Sequence, residues 1–150
     1  MSLDDCFEKR LLRRTRPDRD KSRKAMEMAN KNFGKAEDLA AAEFYEQAII
    51  YTYTAMFQAA RALLFSDGII EKSHYCVIEY LKKNYVGEGK LDQSHIYSID
   101  TYRIERHETL YGLEDAETTE KEAGDAIESA RNFLTAVENI LDGRNGPRNA

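Results

Sequence analysis

The feature that most constrains the fold is a helical pattern that runs without interruption from Asp38 to Phe65. Mostly apolar or small side chains recur there at steps of three and four residues, namely Tyr45, Ala48, Ile49, Thr52, Met56, Ala59, Ala60, Leu63 and Leu64. That period is typical of an α-helix with one buried face. A helix of this length spans about 40 Å, and Ser66-Asp67-Gly68 predicts its end. The pattern therefore predicts the central helix of a bundle.

Helical patterns also cover most of the remaining chain. One predicted helix follows Pro17, is capped by Asp18 or Asp20, and reaches about Phe33 before a turn at Gly34. Another covers His74–Tyr85 and is capped by Ser73. The remaining predicted helices are Leu3–Arg14, Asp92–Tyr111 and Thr118–Leu141. No strand pattern and no internal repeat is present. The sequence predicts the all-α class, as an antiparallel up-and-down bundle of four to five helices.

The length of 150 residues suits a single domain with terminal segments. We assign residues 1–17 to a short basic N-terminal segment, 18–142 to the bundle and 143–150 to a disordered tail. The basic residues between Lys9 and Lys24 predict a solvated, flexible arm. The alternative is a local, salt-sensitive attraction between this segment and RNA.

Composition excludes several classes of protein. The formal charge of −5 argues against a surface given over entirely to nucleic acid. No apolar run is long enough for a membrane span, and the N-terminus lacks the apolar region of a signal peptide. These features predict a cytoplasmic protein that does not contact a membrane.

Neither a disulfide nor a metal site is expected from the sequence. Cys6 and Cys76 lie 70 positions apart, and we predict two free thiols. The three histidines, His74, His95 and His107, are too scattered to build a zinc site. Nucleotide-cofactor and hydrolase motifs are absent, so no cofactor is predicted.

Three motifs in order carry a resemblance to a known family. The first is the segment YTYTAMFQAARALL at residues 51–64, the second is Lys72-Ser73-His74, and the third is the segment RHETLY at residues 106–111. Their order and spacing resemble the HEPN superfamily, and within it the small stand-alone HEPN-domain proteins. The resemblance spans roughly residues 21–140, almost the whole chain.

The resemblance implies a helical bundle that forms a homodimer. Many HEPN proteins work beside a minimal nucleotidyltransferase as a two-component pair, often of the toxin–antitoxin type. Catalytic members are metal-independent ribonucleases whose site is an Arg followed, four to six residues on, by a His, with two such motifs meeting across the dimer. Such a pair supplies a group that takes the 2′-hydroxyl proton and a cation that holds the phosphate.

The chain departs from this motif at the histidine. Arg106 has the expected position, but Tyr111 stands where the His belongs, and a phenol with a pKa of about 10 is a poor base at neutral pH. His107 and Arg103 lie one and two turns before Tyr111 on the same helix face. The candidate catalytic residues are therefore Arg106, Tyr111 and His107. The candidate nucleotide- or RNA-binding residues are Arg103, Arg106 and His74, and no metal ligand is proposed.

Each candidate also has a structural interpretation. Arg103 and Arg106 could pair with the acidic stretch or with Glu105 and Glu108, His107 could face solvent, and His74 could bond a neighbouring helix. The Tyr and Phe residues of the central helix are expected in the core or in a dimer interface.

Three functions remain open at this stage. The first is a HEPN partner of a minimal nucleotidyltransferase, with a cleft of Arg106 and Tyr111 that binds a nucleotide or RNA, or with Tyr111 as the acceptor of a nucleotide group. The second is a metal-independent endoribonuclease that acts as a dimer. The third is a purely structural helical dimer.

Overall fold

The computed structural model describes residues 1–114 and 117–145. Within them the elements are α1 (Leu3–Glu8), β1 (Leu12–Arg14), α2 (Arg19–Ala41), α3 (Tyr45–Asp67), β2 (Ile69–Glu71), α4 (His74–Leu81), a π-helical turn (Lys82–Val86), α5 (Gln93–Tyr111) and α6 (Glu120–Asn145). The two strands form one short antiparallel sheet.

Local chemistry accounts for several helix ends. The Asp18 carboxylate accepts the Lys21 backbone N–H at 3.0 Å at the start of α2, and Ser73 Oγ accepts the Cys76 N–H at 3.2 Å at the start of α4. Gly68 ends α3 in the left-handed region, with φ of 79°. The predicted caps at Ser73 and at one of the two aspartates, and the predicted end at Gly68, are confirmed.

Helix α3 is the centre of the molecule. It packs along α2 and α6 and contacts α5, and its side chains Ala55, Ala59 and Ala62 are fully buried. Such small side chains let neighbouring helices approach closely. The all-α helical bundle is confirmed, with α2, α3, α5 and α6 as its long helices. No helix in the described ranges is long and apolar enough to cross a membrane.

The N-terminal segment differs from its prediction. The helix that starts at Leu3 ends at Glu8 instead of Arg14, and Arg10 adopts a positive φ of 57°. Leu12, 1% exposed, then begins β1, which pairs with β2 in the register Leu12↔Glu71. The predictions of a flexible arm and of no strand are therefore wrong. Three-residue strands that pair across more than 50 residues of chain leave no periodicity to detect.

The two cysteines form a disulfide, so the prediction of free thiols is wrong. Cys6 in α1 and Cys76 in α4 are bonded and fully buried, with their Cα atoms 5.8 Å apart. The antiparallel pairing of β1 with β2 brings α1 against α4. This proximity is a consequence of tertiary structure that the spacing of the cysteines does not reveal.

Four helix boundaries were also wrong. The central helix begins at Tyr45 instead of Asp38, because the chain turns between α2 and α3, where Glu43 has a positive φ of 67°. Helix α2 continues through Gly34 to Ala41, because the buried Ala29 and Ala36 hold it against its neighbours on both sides of the glycine. Helix α4 ends at Leu81, four residues early, and passes into the π-helical turn. The predicted disordered tail begins as helix, since α6 reaches Asn145, and residues 146–150 lie outside the described residues.

Candidate functional site

Arg106 is the cation around which the candidate site is built. It lies on α5, and its guanidinium carbon is 5.6 Å from the centre of the Tyr53 ring on α3. Arg106 has no hydrogen bond or ion pair with any residue in 1–114 or 117–145. The expected pairing with Glu105 or Glu108 is not found among those residues. The guanidinium therefore keeps its hydrogen-bond donors available on the side away from Tyr53.

Tyr53 and His74 form a hydrogen-bonded pair beside Arg106. The Tyr53 hydroxyl and His74 Nδ1 are 2.6 Å apart, and Tyr53 is only 2% exposed. The imidazole also stacks on Phe57, one turn along α3 from Tyr53, with ring centres 3.9 Å apart. The expectation that His74 bonds a neighbouring helix is confirmed. Two contacts fix the plane and the orientation of its ring, while the residue itself remains exposed.

Burial keeps Tyr53 neutral, and burial together with positive charge keeps His74 neutral. Burial raises the pKa of Tyr53 to about 12, against the opposing effect of Arg106 and Arg103. The pKa of His74 is lowered from 6.5, first by burial and then by the positive charges of Arg106, Arg103 and Arg61. At pH 7 the site therefore presents a neutral imidazole, which can accept a proton, next to a guanidinium.

Arg103 lies one turn before Arg106 and is partly neutralised. Its Nε and Nη2 donate to Asp100 Oδ1 at 3.0 and 2.9 Å on the same helix. The pair is partly exposed, so it contributes little to stability. We call Tyr53, Phe57, His74, Arg103 and Arg106 the Tyr53 cluster. Within this cluster Arg106 is the cation without an anionic partner among the described residues.

His107 and Tyr111 lie elsewhere on α5. Both are exposed, with Tyr111 at 66%, and their ring centres are 5.1 Å apart. In the described part of the chain neither ring contacts a member of the Tyr53 cluster, Arg103 included. The structure thus brings His107 and Tyr111 together, as their spacing predicts, but it separates them from Arg106 and His74.

Two members of the cluster were not predicted as site residues. Tyr53 and Phe57 were assigned to the core or to a dimer interface, and Tyr53 is indeed buried. The available signal was that both lie in the YTYTAMFQAARALL motif at a spacing of one helical turn. Only the tertiary structure shows that they hold His74.

The described residues, 1–114 and 117–145, hold no group of three or more His, Cys, Asp or Glu side chains placed to bind a metal ion. The chemistry that the Tyr53 cluster can support is that of its own side chains. These are phosphate binding by a guanidinium and proton transfer by an imidazole.

Comparison with known proteins agrees with the all-α fold. A family model described as "HEPN domain" matches residues 22–140, a range that contains the whole Tyr53 cluster. The chain is 28% identical over 116 residues to a Methanocaldococcus jannaschii protein named "Putative toxin MJ0605", covering 77% of this chain and 85% of the relative. It is 27% identical over 122 residues to "Putative toxin MJ0142" of the same organism, covering 81% and 82%.

Proposed function

Because the chain belongs to the HEPN domain family, we propose that it is a toxin-type HEPN protein that works with a minimal nucleotidyltransferase as a two-component pair. The names of the two Methanocaldococcus jannaschii relatives support the toxin-type role. The proposed place of action is the cytoplasm, and the proposed ligand of the Tyr53 cluster is the phosphate of RNA or of a nucleotide.

The observation that carries this proposal is the free guanidinium of Arg106. Its carbon lies 5.6 Å from the Tyr53 ring centre, and it has no anionic partner in the part of the chain that the structure describes. A planar guanidinium offers paired donors that match two phosphate oxygens, and an aromatic face beside it fixes its orientation. Arg103 lies one turn away and adds a second cation, which Asp100 partly neutralises.

Growth of a bacterial host on expression of the chain tests the toxin-type role. We expect growth arrest with the unsubstituted protein and normal growth with Arg106→Ala at equal soluble protein levels. Arg131→Ala is the matched control, because Arg131 is an arginine of α6 that pairs with Glu37 and Glu128 and lies over the Phe33 ring instead of the Tyr53 ring. Equal arrest by Arg106→Ala would count against the assignment of the site.

Tyr111 is the residue on which we expect the nucleotidyltransferase to act. Its hydroxyl is accessible on the exposed side of α5, so its oxygen could attack the α-phosphate of a nucleoside triphosphate. The products would be a tyrosyl nucleotide and pyrophosphate. Mass spectrometry after incubation with the partner and ATP tests this, with Tyr111→Phe as the variant that should stay unmodified. Co-elution of the two proteins tests the pair itself.

A metal-independent endoribonuclease is the second candidate, and a specific observation favours it. His74, which is neutral at pH 7, and Arg106 both contact Tyr53. Together they supply a base and a phosphate-binding cation without a metal. RNA cleavage in the presence of EDTA tests it. A purely structural dimer is the outcome if neither growth, RNA binding nor RNA cleavage depends on Arg106.

A further inference from the structure

We propose that His74, held by Tyr53 and Phe57 beside Arg106, is the group that accepts the 2′-hydroxyl proton when this protein cleaves RNA. The inference rests on the endoribonuclease candidate and names its base. It places that base on α4, outside the RHETLY segment in which the sequence places the catalytic residues.

Position separates His74 from the other two candidates. His107 and Tyr111 contact each other on the exposed side of α5, and neither contacts the Tyr53 cluster within the described residues. His74 and Arg106 both contact Tyr53, at 2.6 Å from its hydroxyl and 5.6 Å from its ring centre. A phosphate held by Arg106 would therefore have an imidazole close to it, although the histidine of the motif is replaced by Tyr111.

The hydrogen bond to Tyr53 determines which ring nitrogen is available. Tyr53 occupies Nδ1, and stacking on Phe57 holds the ring plane, so Nε2 is the nitrogen left for substrate. In the reactive tautomer the Nδ1–H donates to the Tyr53 oxygen, and Nε2 carries the lone pair. Tyr53 is then a positioning residue, and burial keeps its hydroxyl protonated.

The charges around His74 favour its neutral form. Tyr53 and Arg61 face it from α3, and Arg103 and Arg106 face it from α5. Among the nearby carboxylates, Glu71 of β2 is paired with Arg61 at 3.0 Å and Asp100 of α5 with Arg103. Burial and the three arginines lower the pKa of His74 below 6.5, so the ring can accept a proton at pH 7.

The proposed step balances without a metal or a redox partner. Nε2 of His74 takes the 2′-hydroxyl proton, the 2′-oxygen bonds to phosphorus, and the bond from phosphorus to the 5′-oxygen breaks. The products are a 2′,3′-cyclic phosphate and a 5′-hydroxyl, whose oxygen takes its proton from water. The protonated His74 returns its proton to the hydroxide so formed. Arg106 holds the non-bridging oxygens, on which negative charge grows.

The test compares His74→Gln with His95→Gln in EDTA, with a 5′-labelled single-stranded RNA containing all four bases. His95 is the matched control, because burial also lowers its pKa, but its ring packs against Phe133 instead of the cluster. We expect His74→Gln to lower the cleavage rate about 10²–10⁴-fold, and His95→Gln to retain it. Binding of 2′-O-methyl RNA, which cannot be cleaved, should be unchanged in both variants.

Each other outcome has a distinct meaning. Cleavage by His74→Gln at the unsubstituted rate overturns the inference and leaves the endoribonuclease candidate standing. Loss of 2′-O-methyl RNA binding together with cleavage makes His74 a binding residue and also overturns it. Absence of cleavage by the unsubstituted protein overturns the endoribonuclease candidate and, with it, the inference.

Two further measurements do not depend on how well His74→Gln folds. The pH profile of kcat/KM for the unsubstituted protein should fall on the acid side with a midpoint below 6.5, and a midpoint above 6.5 contradicts the assignment. Tyr53→Phe should lower kcat about tenfold with an unchanged KM, because it keeps the ring and removes only the hydrogen bond. An unchanged kcat in that variant removes Tyr53 from the account.

Discussion

Gly68 is the residue between the end of α3 and the start of β2, where the short sheet joins the helical bundle. It has a φ of 79°, and a Cβ built on it would lie 2.5 Å from the Thr15 carbonyl oxygen and 2.9 Å from the Pro17 nitrogen. Its carbonyl accepts the Thr15 N–H at 2.7 Å. The backbone conformation and the close approach both require glycine. The turn from α3 into β2 therefore depends on this residue.

We expect Gly68→Ala to lower the free energy of unfolding by about 2 kcal/mol or more, because a left-handed alanine is strained and backbone atoms must move. Gly34→Ala is the matched control. Gly34 lies inside α2 with open space around it, and alanine there should stabilise the protein by up to about 1 kcal/mol. Urea denaturation measures both changes. Equal stability of the two variants would contradict the close contact at Gly68.

His74 and His95 predict the pH dependence of stability near neutrality. Burial is the largest cause that lowers the pKa of each below 6.5 in the folded state. The unfolded chain therefore binds more protons as the pH falls through 6.5, and the folded state loses stability. We expect the free energy of unfolding to drop between pH 7.5 and pH 5.5 (roughly the range in which an unperturbed histidine titrates). Replacement of both by Gln should reduce that drop, and an unchanged drop would contradict the assignment.

At the scale of elements, the disulfide joins α1 to α4 across 70 residues of sequence. A cross-link over so long a segment lowers the conformational entropy of the unfolded chain. In the chain-entropy model this raises the free energy of unfolding by about 4 kcal/mol. We expect a dithiol reductant to shift the urea midpoint to lower concentration in the unsubstituted protein. The Cys6→Ser/Cys76→Ser variant should already have the lower midpoint and should not respond to the reductant. Identical midpoints with and without reductant would contradict a stabilising bond.

The same elements show what can be predicted from sequence. Helices α3, α5 and α6 were predicted because each carries a long local period. Local caps predict the starts of α2 at Asp18 and of α4 at Ser73, and Gly68 predicts the end of α3. The strands, the disulfide and the contact between Tyr53 and His74 depend on residues that are distant along the chain. The candidate site was predicted in part: Arg103, Arg106 and His74 lie in the cluster, whereas His107 and Tyr111 lie outside it.

At the scale of the whole molecule, α5 presents an apolar surface. Tyr97 and Ile104 are 74% and 52% exposed and lie seven residues apart, which places them on one face of the helix. Helix α5 contacts α3 and α6 on its other side. We propose this face as the homodimer interface, because large apolar side chains that are exposed in one copy of the chain can be buried against a second copy.

Substitution of Ile104 tests the dimer. We expect Ile104→Asp to convert a dimer into a monomer in sedimentation velocity, because a charge on this face would be buried in the dimer without a partner. Met28→Asp, at an exposed apolar position of α2, should leave the dimer intact. A monomeric unsubstituted protein, or a dimer that survives Ile104→Asp, would rule out this face.

RNA binding as a function of salt tests the central claim, that Arg106 in the Tyr53 cluster binds phosphate. Fluorescence anisotropy with 2′-O-methyl RNA gives the affinity and its slope against log salt concentration for the unsubstituted protein, Arg106→Ala and Arg131→Ala. Loss of one phosphate contact should weaken binding and reduce the slope of Arg106→Ala by about 0.7, the value for one contact to a single strand. Arg131→Ala should match the unsubstituted protein. Equal affinity and equal slope for all three proteins would contradict the account.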